Sequence, residues 1–136
     1  MGYFYAGVKT NNSVNGNGKT GETNQKKLED RIKHIRFTQG CFLVLKYLEI
    51  PNSTQAITRA VEGHVRMMLE RDGYKNIQND HFEFPTTAET KWAEFEKFTE
   101  KAMVYAIQYC LLMGIDYTLH EGDRKARRTV KHHKTA

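Results

Sequence analysis

Pro51 and Gly73 bracket the segment whose form is most tightly constrained. Between them Ala56, Ile57, Ala60, Val61, His64, Val65, Met68 and Leu69 recur at three- and four-residue spacing. That spacing places them on one apolar stripe of a helix. Thr58, Arg59, Glu62, Arg66 and Glu70 fall largely on the other side. Pro51 stops whatever precedes it. Asn52 or Ser53 can cap the first turn, and Asn52 with Gln55 has capping-box spacing. Gly73, just after Arg71, suits the negative helix end. An ordinary helix packed by one face accounts for all of these features.

The stretch before Pro51 is read from this helix backwards. Ile35 and Phe37 share one face of a strand, while His34, Arg36 and Thr38 share the other. A polar face of His, Arg and Thr can pair with base edges, arginine being the commonest reader of guanine. A two-stranded ribbon fits the major groove, and one chain supplies one strand, so this reading requires a dimer. From Cys41 to Ile50 only Lys46 and Glu49 are charged. Such a run is either a helix buried on more than one side or a strand in a buried sheet, and periodicity does not separate the two. A helix capped by Thr38 fits the flanking pieces and is the expectation.

A strand followed by two helices is the layout of a known DNA-binding family. Residues 33–73 resemble the ribbon-helix-helix repressors and plasmid accessory proteins, through IRFT at the strand end and NSTQAITRAVEGHV in the second helix. The resemblance implies a mainly α, ribbon-helix-helix-like dimer with one short strand and two helices per chain. It implies that His34 and Arg36 read bases, with Ile32 at the first outward position. It also implies that the free N–H groups of Asn52, Ser53 and Thr54 hold a backbone phosphate.

The rest of the chain of 136 residues is expected to surround this region. Residues 1–30 read as a flexible N-terminal segment. Tyr3, Phe4 and Tyr5 form an aromatic patch there that can dock as a strand or contact a partner, and residues 9–24 read as a linker. Gly18-Lys19-Thr20 matches the end of a phosphate-binding loop, but Ser13 stands where that loop needs glycine. Residues 31–73 are the DNA-binding region, and 74–85 a connection with a short extended piece at HFEF. Residues 86–114 read as a long C-terminal helix of about 40 Å. It opens on a Thr86–Glu89 capping box and carries a stripe that includes Trp92, Phe95, Phe98, Ala102, Met103, Ala106, Tyr109, Cys110 and Met113. Phe42–Ile50 and the apolar end of this helix are expected to cover each other. Residues 115–136 read as a basic tail, with Arg124, Lys125, Arg127 and Arg128 placed to lie along phosphates.

Chemistry narrows the function by subtraction. There is no nucleophile elbow, paired acidic motif or complete phosphate loop, so the chain is read as a non-enzyme without a cofactor. His81, Glu83 and Glu89 have no metal-ligand spacing, and Cys41 and Cys110 lack partner spacing. No apolar run reaches membrane-spanning length, which favours a cytoplasmic protein. The net charge of +5 favours an acidic partner. The expectation is a sequence-specific binder of double-stranded DNA acting as a homodimer, with a strand in the major groove and a basic arm on phosphates. The alternative is a helical module of a phage or mobile element that binds a host protein.

Overall fold

A computed structural model describes residues 1–9, 17–24, 27–39, 42–78, 81–84 and 91–122. In chain order these form β1 (Gly2–Lys9), β2 (Asn17–Thr23), α1 (Leu28–Gln39), β3 (Phe42–Ile50), α2 (Gln55–Arg71), β4 (Lys75–Gln78), β5 (His81–Glu83), α3 (Lys91–Met113) and β6 (Thr118–Glu121). Among the described residues, six strands make one antiparallel sheet in the order β4-β5-β2-β1-β3-β6. The protein is therefore a mixed α/β fold and not mainly α.

The order of elements before Pro51 is the reverse of the expected strand-then-helix. Residues 33–38 lie inside α1. Leu28, Ile32 and Ile35 sit at helical spacing, and Glu29 and Asp30 occupy the first turn, where carboxylates favour a helix start. Ile32 and Ile35 are buried against Tyr5, Phe42 and Val44. Thr38, expected to cap a following helix, belongs to α1 itself. Phe42–Ile50 is strand and not helix, and β1 and β6 flank it on the two sides. Its residues are apolar on both sides because both faces of the sheet are covered there, which is where near-continuous apolar strands occur. The ribbon-helix-helix arrangement, with its dimer-forming strand at residues 33–38, is thereby overturned.

The N-terminal segment is structural as well. Phe4, Ala6 and Val8 point to one face of β1, Tyr3 and Tyr5 to the other, and all five are buried. Part of the segment read as a linker forms β2, paired with β1 from Tyr3↔Thr23 to Lys9↔Asn17. Gly18 lets the sheet pass close to α3, since a Cβ there would stand 2.6 Å from Cε2 of Phe98.

The helix after Pro51 forms, but its cap is not Asn52 or Ser53, and Thr58 and Glu62, expected on the polar side, are buried while Ala56 and Ala60 are exposed. Thr54, in extended backbone, accepts from Ile57 N at 3.3 Å and is the N-cap. Gly73, at φ 97°, ends the helix, with Gly73 N donating to Glu70 O and Tyr74 N to Leu69 O, both at 3.0 Å. That bond pair is the Schellman motif. Gly114, at φ 67°, ends α3 similarly, with Ile115 N donating to Cys110 O at 2.8 Å. α2 and α3 pack together on one sheet face. Val61, Val65, Leu69, Phe98, Ala102, Met103, Ala106 and Cys110 meet Phe4, Ala6, Leu48 and Ile50 in the main core. The apolar middle of α3 thus covers β3 as expected, whereas Leu111, Leu112 and Met113 stay exposed. Burial pushes the Cys110 thiol up to about 11, so it stays protonated at neutral pH. Among the described residues, no helix is long and apolar enough to cross a membrane.

Candidate functional site

Among the described residues, the other sheet face is covered by α1 alone. A helix about 10 Å wide covers roughly two strands spaced about 4.8 Å apart. Lying over β1 and β3, α1 leaves its flank toward β6 open. Toward β6 the open flank is a groove of about 780 Å³. Its strand wall carries Tyr3, Tyr47, Glu49, His120 and Glu121, its helix wall Lys27, Glu29 and Lys33, and Leu28, Ile32 and Val44 supply apolar lining.

The strand wall is set by register. Tyr47 pairs with His120, and Tyr3 with Glu49, so these side chains share one face. The rings of Tyr47 and His120 stack with centroids 4.9 Å apart and planes 17° from parallel. Tyr3 meets Tyr47 edge-on at 6.1 Å. His120 Nε2 lies 3.4 Å from Glu49 Oε1. Burial, and then the charge of Glu49, push the phenols of Tyr3 and Tyr47 above their ordinary value. Both hydroxyls are therefore neutral at physiological pH.

The opposite flank belongs to Arg31. It lies about 160° round the helix from Glu29 and Lys33, which turns it toward the β2 side of the sheet. Arg31 is half-buried, and its Nε is buried without a hydrogen-bond partner among the described residues. On the same sheet face, register aligns Lys19 with Gly7, Gly21 with Tyr5 and Thr23 with Tyr3. Lys19 and Thr23 are buried. A side chain on Gly21 would collide with the Tyr5 hydroxyl, so the bare glycine gives that hydroxyl its place.

The sequence-predicted site residues do not form one surface. His34 is exposed on α1, and Arg36 and Thr38 belong to its later turns, with side chains outside the described set. Asn52 is exposed in a left-handed turn at φ 57°. Ser53 is buried and donates to Ile50 O at 2.7 Å, and the Thr54 hydroxyl caps α2. Thr58 in the first turn of α2 donates to Glu22 Oε2 at 2.7 Å, so a carboxylate already stands at that helix N-terminus. Arg124, Lys125, Arg127 and Arg128 lie outside the described residues. The chain leaves for them at Gly122, which lines the groove and donates to Leu45 O at 2.8 Å.

Tyr47, Glu49 and His120 were missed as site residues. The first two carried a signal, since they alternate with the buried Leu48 and Ile50 in β3. His120 fell in the stretch read as tail. Among the described residues, no group of three or more His, Cys, Asp or Glu could hold a metal ion. Comparisons with protein-family models, curated proteins and solved structures return no match, and the geometry of this face alone carries the functional reading.

Proposed function

We propose that this protein is a cytoplasmic nucleic-acid-binding protein that uses the α1 side of its sheet. Phosphates are held by the cations of α1 and by the basic segment after Gly122. The observation that carries the reading is Arg31, whose buried Nε–H has no acceptor among the described residues. A buried donor left unpaired costs about 1–3 kcal/mol, which a bound phosphate oxygen can restore. Lys33 and His34 are exposed on the same helix and Lys27 just before it, and the net charge of +5 favours a polyanion. The strand reader is gone with the fold, so α1 takes over as the contacting element.

The test is fluorescence anisotropy with labelled single- and double-stranded oligonucleotides from about 50 to 200 mM salt. Binding should weaken steeply with salt. Arg31→Met should reduce affinity for every sequence about tenfold, as loss of one phosphate contact would. Its melting temperature should stay near the parent's. Deleting residues 123–136 should flatten the salt slope. No binding at the lowest salt, or an Arg31→Met protein that binds as tightly as the parent, would sink the proposal.

A second reading, docking of a protein partner or a second copy, is favoured by one observation. Leu111, Leu112 and Met113 at the end of α3 are 68%, 80% and 57% exposed, and the edge strand β6 follows with Leu119 also exposed.

A further inference from the structure

We propose that the groove between α1 and β6 is a pocket for an unpaired guanine base. The ring would lie against the Tyr47–His120 stack, and its Watson–Crick edge would meet the Glu49 carboxylate. This rests on the nucleic-acid reading above and names what the groove selects.

Three features of the groove point there together. Its volume, about 780 Å³, lies within the range of small-molecule pockets, roughly 300–1,000 Å³. Its strand wall offers aromatic surface, on which a base can stack whatever its identity. The same wall carries the Glu49 carboxylate, with Glu29 opposite. Two carboxylates make the interior a poor site for phosphate. They suit a group that presents N–H donors.

The four bases differ in what they offer a carboxylate. Guanine presents two neighbouring donors, N1–H and the N2 amino group, in the spacing of two carboxylate oxygens. Cytosine and adenine place one amino donor beside an acceptor nitrogen, which a carboxylate repels. Uracil and thymine have one N–H between two carbonyl acceptors. Each oxygen of a carboxylate has two lone pairs, so the 3.4 Å contact of Glu49 Oε1 with His120 does not exhaust it. A base inside a duplex hides this edge, so the groove selects single strands, loops or extruded bases. Lys27 and Lys33 on the helix wall suit the phosphates that flank the base. An arginine side chain presents a similar pair of N–H groups, but its peptide would bring further positive charge against those two lysines.

The test uses short oligothymidines with one central dG, deoxyinosine, dA or dC, read by anisotropy with the full-length protein. Inosine keeps N1–H and lacks only the N2 amino group. A good bidentate pair discriminates by about 1–3 kcal/mol, so dG should bind about tenfold or more tighter than dA, and inosine should lose most of that gain. Glu49→Gln should bring dG and inosine to the same affinity, with an unchanged melt showing an intact fold. Tyr47→Ala should weaken all four oligomers together. Equal binding of all four by the parent would overturn the pocket assignment and leave the nucleic-acid reading standing. No binding by any would overturn both. Tighter binding of an arginine-containing peptide, lost in Glu49→Gln, would reassign the groove to a protein ligand.

Discussion

The two faces of the sheet are built differently. On one, α2 and α3 lie side by side across β1, β2 and β3 and exclude water. Phe98, Ala102, Ala106 and Cys110 have no exposure at all, and Phe98 meets Phe82, Phe84 and Tyr74 at ring centroids of 5.4–5.7 Å. On the other face, among the described residues, a single helix of 12 residues does the covering. The strip it leaves bare toward β6 holds Tyr47, Glu49 and His120, while the Arg31 Nε on its other flank is buried. Helix width decides this division. Two helices can shelter about four strands, and one shelters about two. The doubly covered face therefore carries most of the buried core, and the singly covered face is left with polar side chains at its open groove.

The largest break in that contrast should come from the sealed face. Phe98→Ala removes a ring with no exposure from the centre of the aromatic cluster. The expected loss is about 3–5 kcal/mol of folding stability, since neighbours cannot fully close such a cavity. Chemical denaturation should show one cooperative transition at lower denaturant. Tyr47→Ala, on the open face, should lose far less, and comparable losses would mean that the two faces are not specialised.

A smaller effect sharpens the comparison through pH. Asp72, the C-cap residue of α2, accepts from the Tyr105 hydroxyl and from Lys101 Nζ, the latter at 3.2 Å, and so ties α2 to α3. The Tyr105 hydrogen bond, and then Lys101, hold its carboxyl below the usual value. A lowered folded-state pKa gives stability that is present above the unfolded value of about 4 and is lost as pH falls through the folded one. Tyr105→Phe should therefore cost about 1 kcal/mol at neutral pH. The gap from the parent should close as the pH drops below about 4. A difference that stays constant down to pH 2 would show that the ring, and not the tie to Asp72, supplies the stability.

What the sequence disclosed follows from how local each cause is. The helix after Pro51 carried its own period and its stop at Gly73, which act within a turn or two, although its cap is Thr54 and its buried stripe is turned to take in Thr58 and Glu62. α1 is ambiguous in its second half, where Ile35 and Phe37 alternate as in a strand, and only its first half, with Leu28, Ile32 and Ile35 at helical spacing behind Glu29 and Asp30, marks it as a helix. Phe42–Ile50 could not be settled locally, because its apolarity on both sides reflects helices that come earlier and later in the chain. The groove was half legible. Tyr47 and Glu49 alternate visibly with Leu48 and Ile50, but the partner that stacks on Tyr47 is set by the pairing of β3 with β6 across most of the fold.

The smallest expected effect concerns a place where the sealed face is not sealed. Leu112 is 80% exposed in the last turn of α3, one residue from Leu111 and Met113, which are exposed as well. Exposed apolar side chains singly are ordinary, but a contiguous group at the end of a helix, followed by an open edge strand, is the pattern of a contact surface. Leu112→Glu removes no buried contact, so thermal melting of the dilute protein should change by less than about 0.5 kcal/mol equivalent. If the second reading holds, light scattering at rising concentration should show the parent associating and the variant remaining a monomer. If both are monomers throughout, the end of α3 is not a self-association surface. Oligonucleotide binding should be the same in both proteins, because the change lies on the face away from α1. A Leu112→Glu protein that loses nucleic-acid affinity would instead couple the two faces and end the division of labour between them.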